Sequence, residues 1–80
     1  YWIIMVEAYI LLTTSVGKEK SALEKIKEFG NVKRSQIVTG AYDLIVLVEA
    51  ENMSVLTDTV MEKIHDIEGV TDTTTAIVVG

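Results

Sequence analysis

Residues 44–48 read Leu-Ile-Val-Leu-Val, apolar at every position, so a strand formed there hides both of its faces from water. Only a central strand of a sheet meets that requirement. It is introduced by Gly40-Ala41-Tyr42-Asp43, a turn composition that ends on a carboxylate. The rest of the chain must therefore supply strands on both sides of this one and a layer to cover it.

Periodicity along the 80 residues identifies those elements. In Val6 to Thr13, Val6, Ala8, Ile10 and Leu12 share one face and Glu7, Tyr9, Leu11 and Thr13 the other, as in a strand of period two. The next segment switches to helical spacing, with Ala22, Ile26 and Phe29 on one stripe, Leu23 beside them, Ser15 as expected cap and Gly30 as expected stop. Val32 to Thr39 reads as a strand whose polar first half suits a sheet edge. After the central strand, a second helix is expected, capped by Asn52 or Ser54, with Leu56, Val60, Ile64 and Ile67 buried and Gly69 as its stop. Val70 to Val79, rich in β-branched residues, closes the series as a strand.

The order strand, helix, strand, strand, helix, strand predicts an α+β, ferredoxin-like βαββαβ fold. Its four-stranded antiparallel sheet has both helices on one face, and two right-handed crossovers fix the strand order as fourth, first, third, second. Tyr9, Leu11, Ile45, Leu47, Ile77 and Val79 are then candidates for the uncovered face. A stable monomer rarely leaves such a surface in water, so dimerisation through the sheet is expected.

Residues 5–80 are read as a single domain and residues 1–4 as a non-native or flexible N-terminal extension, because Met5 opens the first strand pattern. The chain has no cysteine, which excludes disulfides and thiolate metal sites, and no proline. Its formal net charge of −5 has the wrong sign for neutralising phosphates, so direct nucleic-acid binding is disfavoured. The apolar opening falls short of the ~20 residues that span a bilayer and lacks the flanks of a signal peptide, which predicts a cytoplasmic protein without membrane contact.

Catalytic patterns are missing. His65, the single histidine, is expected on a solvated helix face without partners for a metal, and the serines lie at caps or polar positions with no base beside them. The isolated glycines form no phosphate-cradling loop, so neither an enzyme nor a cofactor site is predicted. The threonines of Thr71-Asp72-Thr73-Thr74-Thr75 fit β-propensity and a hydroxyl-lined binding surface equally well.

Taken in order, the opening strand VEAYILL, the turn TGAYD, a helix ending in IEGV and a closing strand with TxT before an apolar tail resemble the ligand-responsive RAM domain of the Lrp/AsnC transcriptional regulators. The likeness covers Met5 to Val79. Members of that family join this domain to a helix-turn-helix, which these residues lack; the resemblance therefore implies a stand-alone RAM domain that does not itself bind DNA. It further implies a free amino acid as effector, sheet-paired dimers assembled into an octamer with effectors between dimers, and a full-length Lrp/AsnC regulator as a partner. The family pattern places the effector at Gly40, Tyr42, Asp43, Thr73 and Thr75. Asp43 would accept the ammonium, backbone N–H groups beside Gly40 would donate to the carboxylate, and the threonine hydroxyls would meet either end or a polar side chain.

The fourth strand, read as antiparallel to the third with the first between them, puts Thr73 on the order of 15 to 20 Å from Asp43 within one subunit. A free amino acid cannot bridge that distance, so the expected site is shared between subunits. Two other readings compete. One is a small dimeric ferredoxin-like enzyme, for which Asp43 and His65 are a poor catalytic set; the other is an interaction module with no ligand.

Overall fold

The computed structural model describes residues 5–79; the expectation for residues 1–4 lies outside them. Four strands, β1 (Val6–Thr14), β2 (Val32–Ile37), β3 (Leu44–Ala50) and β4 (Val70–Ile77), form one sheet in the order β2-β3-β1-β4. Helix α1 spans Glu19–Lys27. The second helix, α2, runs as an α-helical turn Met53–Val55, a π-helical segment Leu56–Met61 and an α-helical end Glu62–His65. The ferredoxin-like α+β fold and its strand order are those expected.

Alternation builds the core. Ala8, Ile10 and Leu12 of β1 and Leu44, Val46, Val48 and Ala50 of β3 are all buried, in one cluster with Ala22 and Ile26 of α1 and Leu56, Val60 and Ile64 of α2. Both helices thus cover the same face. The buried residues of α2 recur every four positions. That spacing keeps Leu56, Val60 and Ile64 within one apolar stripe facing the sheet, Leu56 and Val60 lying in the π-helical segment and Ile64 in the α-helical end.

The start of α2 is as expected, whereas both ends of α1 depart from expectation. Asn52 caps α2, its Oδ1 accepting the Val55 N–H at 2.8 Å. For α1 the N-cap is Lys18, without a side-chain cap, while the Ser15 carbonyl accepts the Lys18 N–H at 3.0 Å. The Ser15 N–H donates instead to the Gly69 carbonyl at 2.8 Å, which ties the loop before α1 to the loop before β4. Helix α1 ends at Lys27, capped by Glu28, before Gly30 is reached. Gly69 has φ +98°, and a Cβ there would stand 2.7 Å from Lys18 Cβ, so its small size matters to this junction as well as its backbone freedom.

Register decides which residues occupy the open face. Tyr9 pairs with Leu47 and Leu11 with Ile45, opposite the buried positions, so these four point away from the helices as expected. Ile77 does not join them. It lies across from buried Ala8, which places it on the helix side at an edge strand, where it stays 39% exposed. Val79 follows the end of β4 and is almost fully exposed. The strand directions also need correction: β3 and β4 are each antiparallel to β1 and hence parallel to one another, not antiparallel.

Candidate functional site

Leu12 is the common neighbour of the two groups of site residues. It pairs with Leu44 on one side and Thr73 on the other. Because β3 and β4 run the same way, Asp43 and Thr73 lie at the same end of the sheet, two strand spacings or roughly 10 Å apart, rather than 15 to 20 Å. The strand geometry therefore removes the reason for requiring a second subunit to bring them together.

Asp43 is held where three strands converge. Its N–H donates to the Leu12 carbonyl at 2.8 Å and its carbonyl accepts the Val38 N–H at 2.9 Å. The Asp43 carboxylate reaches β1 through Oδ2, which accepts the Thr14 N–H at 2.8 Å and stands 3.4 Å from the Thr14 hydroxyl. A side chain thus takes the place of a main-chain ladder bond at the end of β1 and β3. Oδ1 receives no hydrogen bond among the described residues, so the half-buried carboxylate retains acceptor capacity. Upstream, Gly40 has φ +130° and open space where a Cβ would be, a backbone conformation suited to glycine that leaves its amide approachable. Tyr42 is half-buried between the two.

Thr73 and Thr75 share the opposite kind of position. Their partners across the ladder, Leu12 and Ile10, are buried beneath the helices, so both threonines point to the helix side and are half-buried there. Thr75 Oγ1 lies 3.6 Å from Met61 Sδ, a weak contact with the π-helical part of α2. Thr73 lines a groove of about 440 Å³ with Thr57, Met61, Glu62, His65 and Asp66, within the size range of small-molecule sites. Hydroxyls of Thr13 and Thr71, 2.8 Å apart, pair at the irregularity between β1 and β4.

The wall contributed by α2 was not foreseen from sequence. His65 is exposed, as expected for a solvated helix face, yet it borders the same groove as Thr73. Only the β1–β4 register, which turns Thr73 toward α2, reveals this. A separate groove of about 340 Å³ lies between α1 and the segment after α2, with Phe29 and Ile67 among its lining, and it contains none of the expected site residues. Among the described residues no group of three or more His, Cys, Asp or Glu could hold a metal ion, and no helix is long and apolar enough to cross a membrane.

Comparison with known proteins adds an independent line. Residues 7–80 match the family model for the Lrp/AsnC ligand binding domain. An uncharacterised HTH-type transcriptional regulator of Pyrococcus horikoshii, PH0140, is 31% identical over 70 residues, covering 88% of this chain but 44% of the regulator. The chain thus spans less than half the length of that relative. Among solved structures, FFRP-DM1 superposes with a TM-score of 0.88 at 38% identity, covering 92% of this chain and 99% of that one. Escherichia coli AsnC superposes with a TM-score of 0.87 at 26% identity, over 94% of this chain and 51% of AsnC.

Proposed function

Since the chain belongs to the Lrp/AsnC ligand binding domain family, a domain of regulators and not of enzymes, we propose that it binds a free amino acid as a regulatory effector. The observation that carries this reading is the placement of Asp43 and Thr73 on either side of Leu12 at one end of the sheet. That spacing suits a ligand with an ammonium and a carboxylate at one end and a side chain at the other. Asp43 Oδ1 accepts the ammonium by a charge-assisted hydrogen bond, and amides beside Gly40 and Tyr42 donate to the carboxylate. Thr73 and Thr75 offer hydroxyls to the remainder of the ligand.

Assembly is the second part of the proposal. Tyr9, Leu11, Ile45 and Leu47 form an apolar centre on the open face, which a second copy covers to make a sheet-to-sheet dimer. An octamer of four such dimers, a cytoplasmic setting and a full-length Lrp/AsnC regulator as partner belong to the same proposal, and family membership is their sole support. The net charge of −5 supports a role that modulates such a regulator without touching DNA through this domain.

A thermal-shift screen of the twenty amino acids, followed by calorimetry, tests the reading. A ligand at 100 times its dissociation constant adds about 2.7 kcal/mol of stability. Asp43→Asn, which keeps an acceptor for Thr14, and Thr73→Val, which keeps the shape but loses the hydroxyl, should each weaken binding. A screen with no stabilising amino acid, or binding unchanged in both variants, refutes the proposal.

A further inference from the structure

We propose that the groove between α1 and the segment after α2 is a second binding site, and that it takes a small zwitterion with an apolar body. The groove encloses about 340 Å³, at the lower end of small-molecule sites, with Ser21, Lys25 and Phe29 on one wall and Asp66, Ile67 and Glu68 on the other. Neither Asp43 nor Thr73 enters it. The proposal is therefore independent of the effector reading.

The floor of the groove is apolar and fixed. Phe29 and Ile67 are half-buried against the core, and their main-chain N–H groups donate to the Ile26 carbonyl at 3.1 Å and the Ile64 carbonyl at 3.2 Å. An aliphatic or aromatic group placed between them gains by leaving water. Charge defines the rest of the ligand. Glu68 already pairs with Lys18 at 3.7 Å, whereas Lys25 and Asp66, of opposite sign and on opposite walls, form no ion pair with each other or with any described residue. Two opposite charges held apart across an apolar floor match a ligand that carries both. Its carboxylate meets the Lys25 ammonium, its ammonium meets the Asp66 carboxylate, and its apolar body rests between Phe29 and Ile67. A ligand with one charge leaves one wall unmatched.

Phenylalanine, phenethylamine and hydrocinnamate share a ring and differ in the charges they carry, so NMR titration of the parent chain with each tests the assignment. Phenylalanine should shift the amide signals of Lys25, Phe29 and Ile67 and bind about three- to fivefold tighter than either analogue, the scale of one solvent-exposed ion pair. Lys25→Met should abolish its advantage over phenethylamine, and Asp66→Asn its advantage over hydrocinnamate. Both side chains are exposed, so neither change removes a core contact. Asp43→Asn should leave the groove signals responding as in the parent. Equal affinity for the three compounds, or a Lys25→Met variant that still prefers phenylalanine to phenethylamine, overturns the site. Shifts confined to Asp43 and its neighbours overturn it too, while leaving the effector reading intact.

Discussion

The backbone N–H of Thr14 donates to the Asp43 carboxylate at 2.8 Å, joining the end of β1 to the start of β3 through a side chain. Asp43 is therefore structural whatever else it contacts. Replacing it by alanine leaves a part-buried N–H without its partner and should cost about 1–3 kcal/mol. Asp43→Asn keeps an acceptor at the same place and should stay within about 1 kcal/mol of the parent. Urea denaturation of the two variants checks this, and equal stability of both would remove the structural role.

Gly69 and Gly17 both have positive φ, but only Gly69 faces a neighbour. A Cβ at Gly69 meets Lys18 Cβ at 2.7 Å, whereas nothing lies within 4 Å of one at Gly17. Gly17→Ala should cost about 1–2 kcal/mol from backbone strain alone. Gly69→Ala should cost more, by about 1 kcal/mol or above, because the loops before α1 and β4 must separate. Thermal unfolding of the two variants ranks them directly.

Leu47 occupies the centre of the open face, paired with Tyr9 across β1. A charge placed there would have to be buried without a partner in a sheet-to-sheet dimer. Leu47→Lys should therefore shift sedimentation toward the 8.8 kDa monomer at micromolar concentration while far-UV circular dichroism keeps its α+β shape. A parent chain that sediments as a monomer under the same conditions would contradict the dimer.

Glu7 and Glu49 stand directly across β1 and β3, an unfavourable like-charge pair that Lys33 offsets from the neighbouring β2. The Lys33 ammonium lies 2.8 Å from Glu7 Oε2, and this hydrogen bond, with the charges of Glu7 and then Glu49, holds its pKa above the ordinary 10.5. A raised pKa means that the contribution of the charged lysine is complete below the unfolded-state value and is lost as pH rises through the folded-state one. Lys33→Met should thus differ from the parent in stability at neutral pH, and the difference should shrink only above about pH 10.5. An NMR titration placing the Lys33 pKa at or below 10.5 would contradict the assignment.

Much of this fold is legible because its strongest signals are local. The unbroken apolar run of β3 identifies a central strand, the polar start of β2 an edge, and the stripes of α1 and α2 the faces they bury. Helix ends are less legible. Ser15 resembles a cap in sequence, yet its main chain is committed to Gly69 and Lys18, a contact between loops far apart along the chain. The candidate site follows the same division: Gly40, Tyr42, Asp43, Thr73 and Thr75 are singled out by the family resemblance of the sequence, whereas Thr14, Met61 and His65 enter only through neighbours in space.

By itself the sequence determined the elements, their order, the covered face of the central strands and the residue types available for a ligand, because period and side-chain chemistry reside in each segment. Tertiary structure decided the rest. β4 carries threonine on both faces, so alternation alone does not say which face meets the helices; pairing with Leu12 and Ile10 sends Thr73 and Thr75 there, and pairing with Ala8 sends Ile77. Strand direction likewise belongs to the assembled sheet. Two strands that each run antiparallel to β1 must run parallel to one another, and this brings Asp43 and Thr73 to a common end of the sheet.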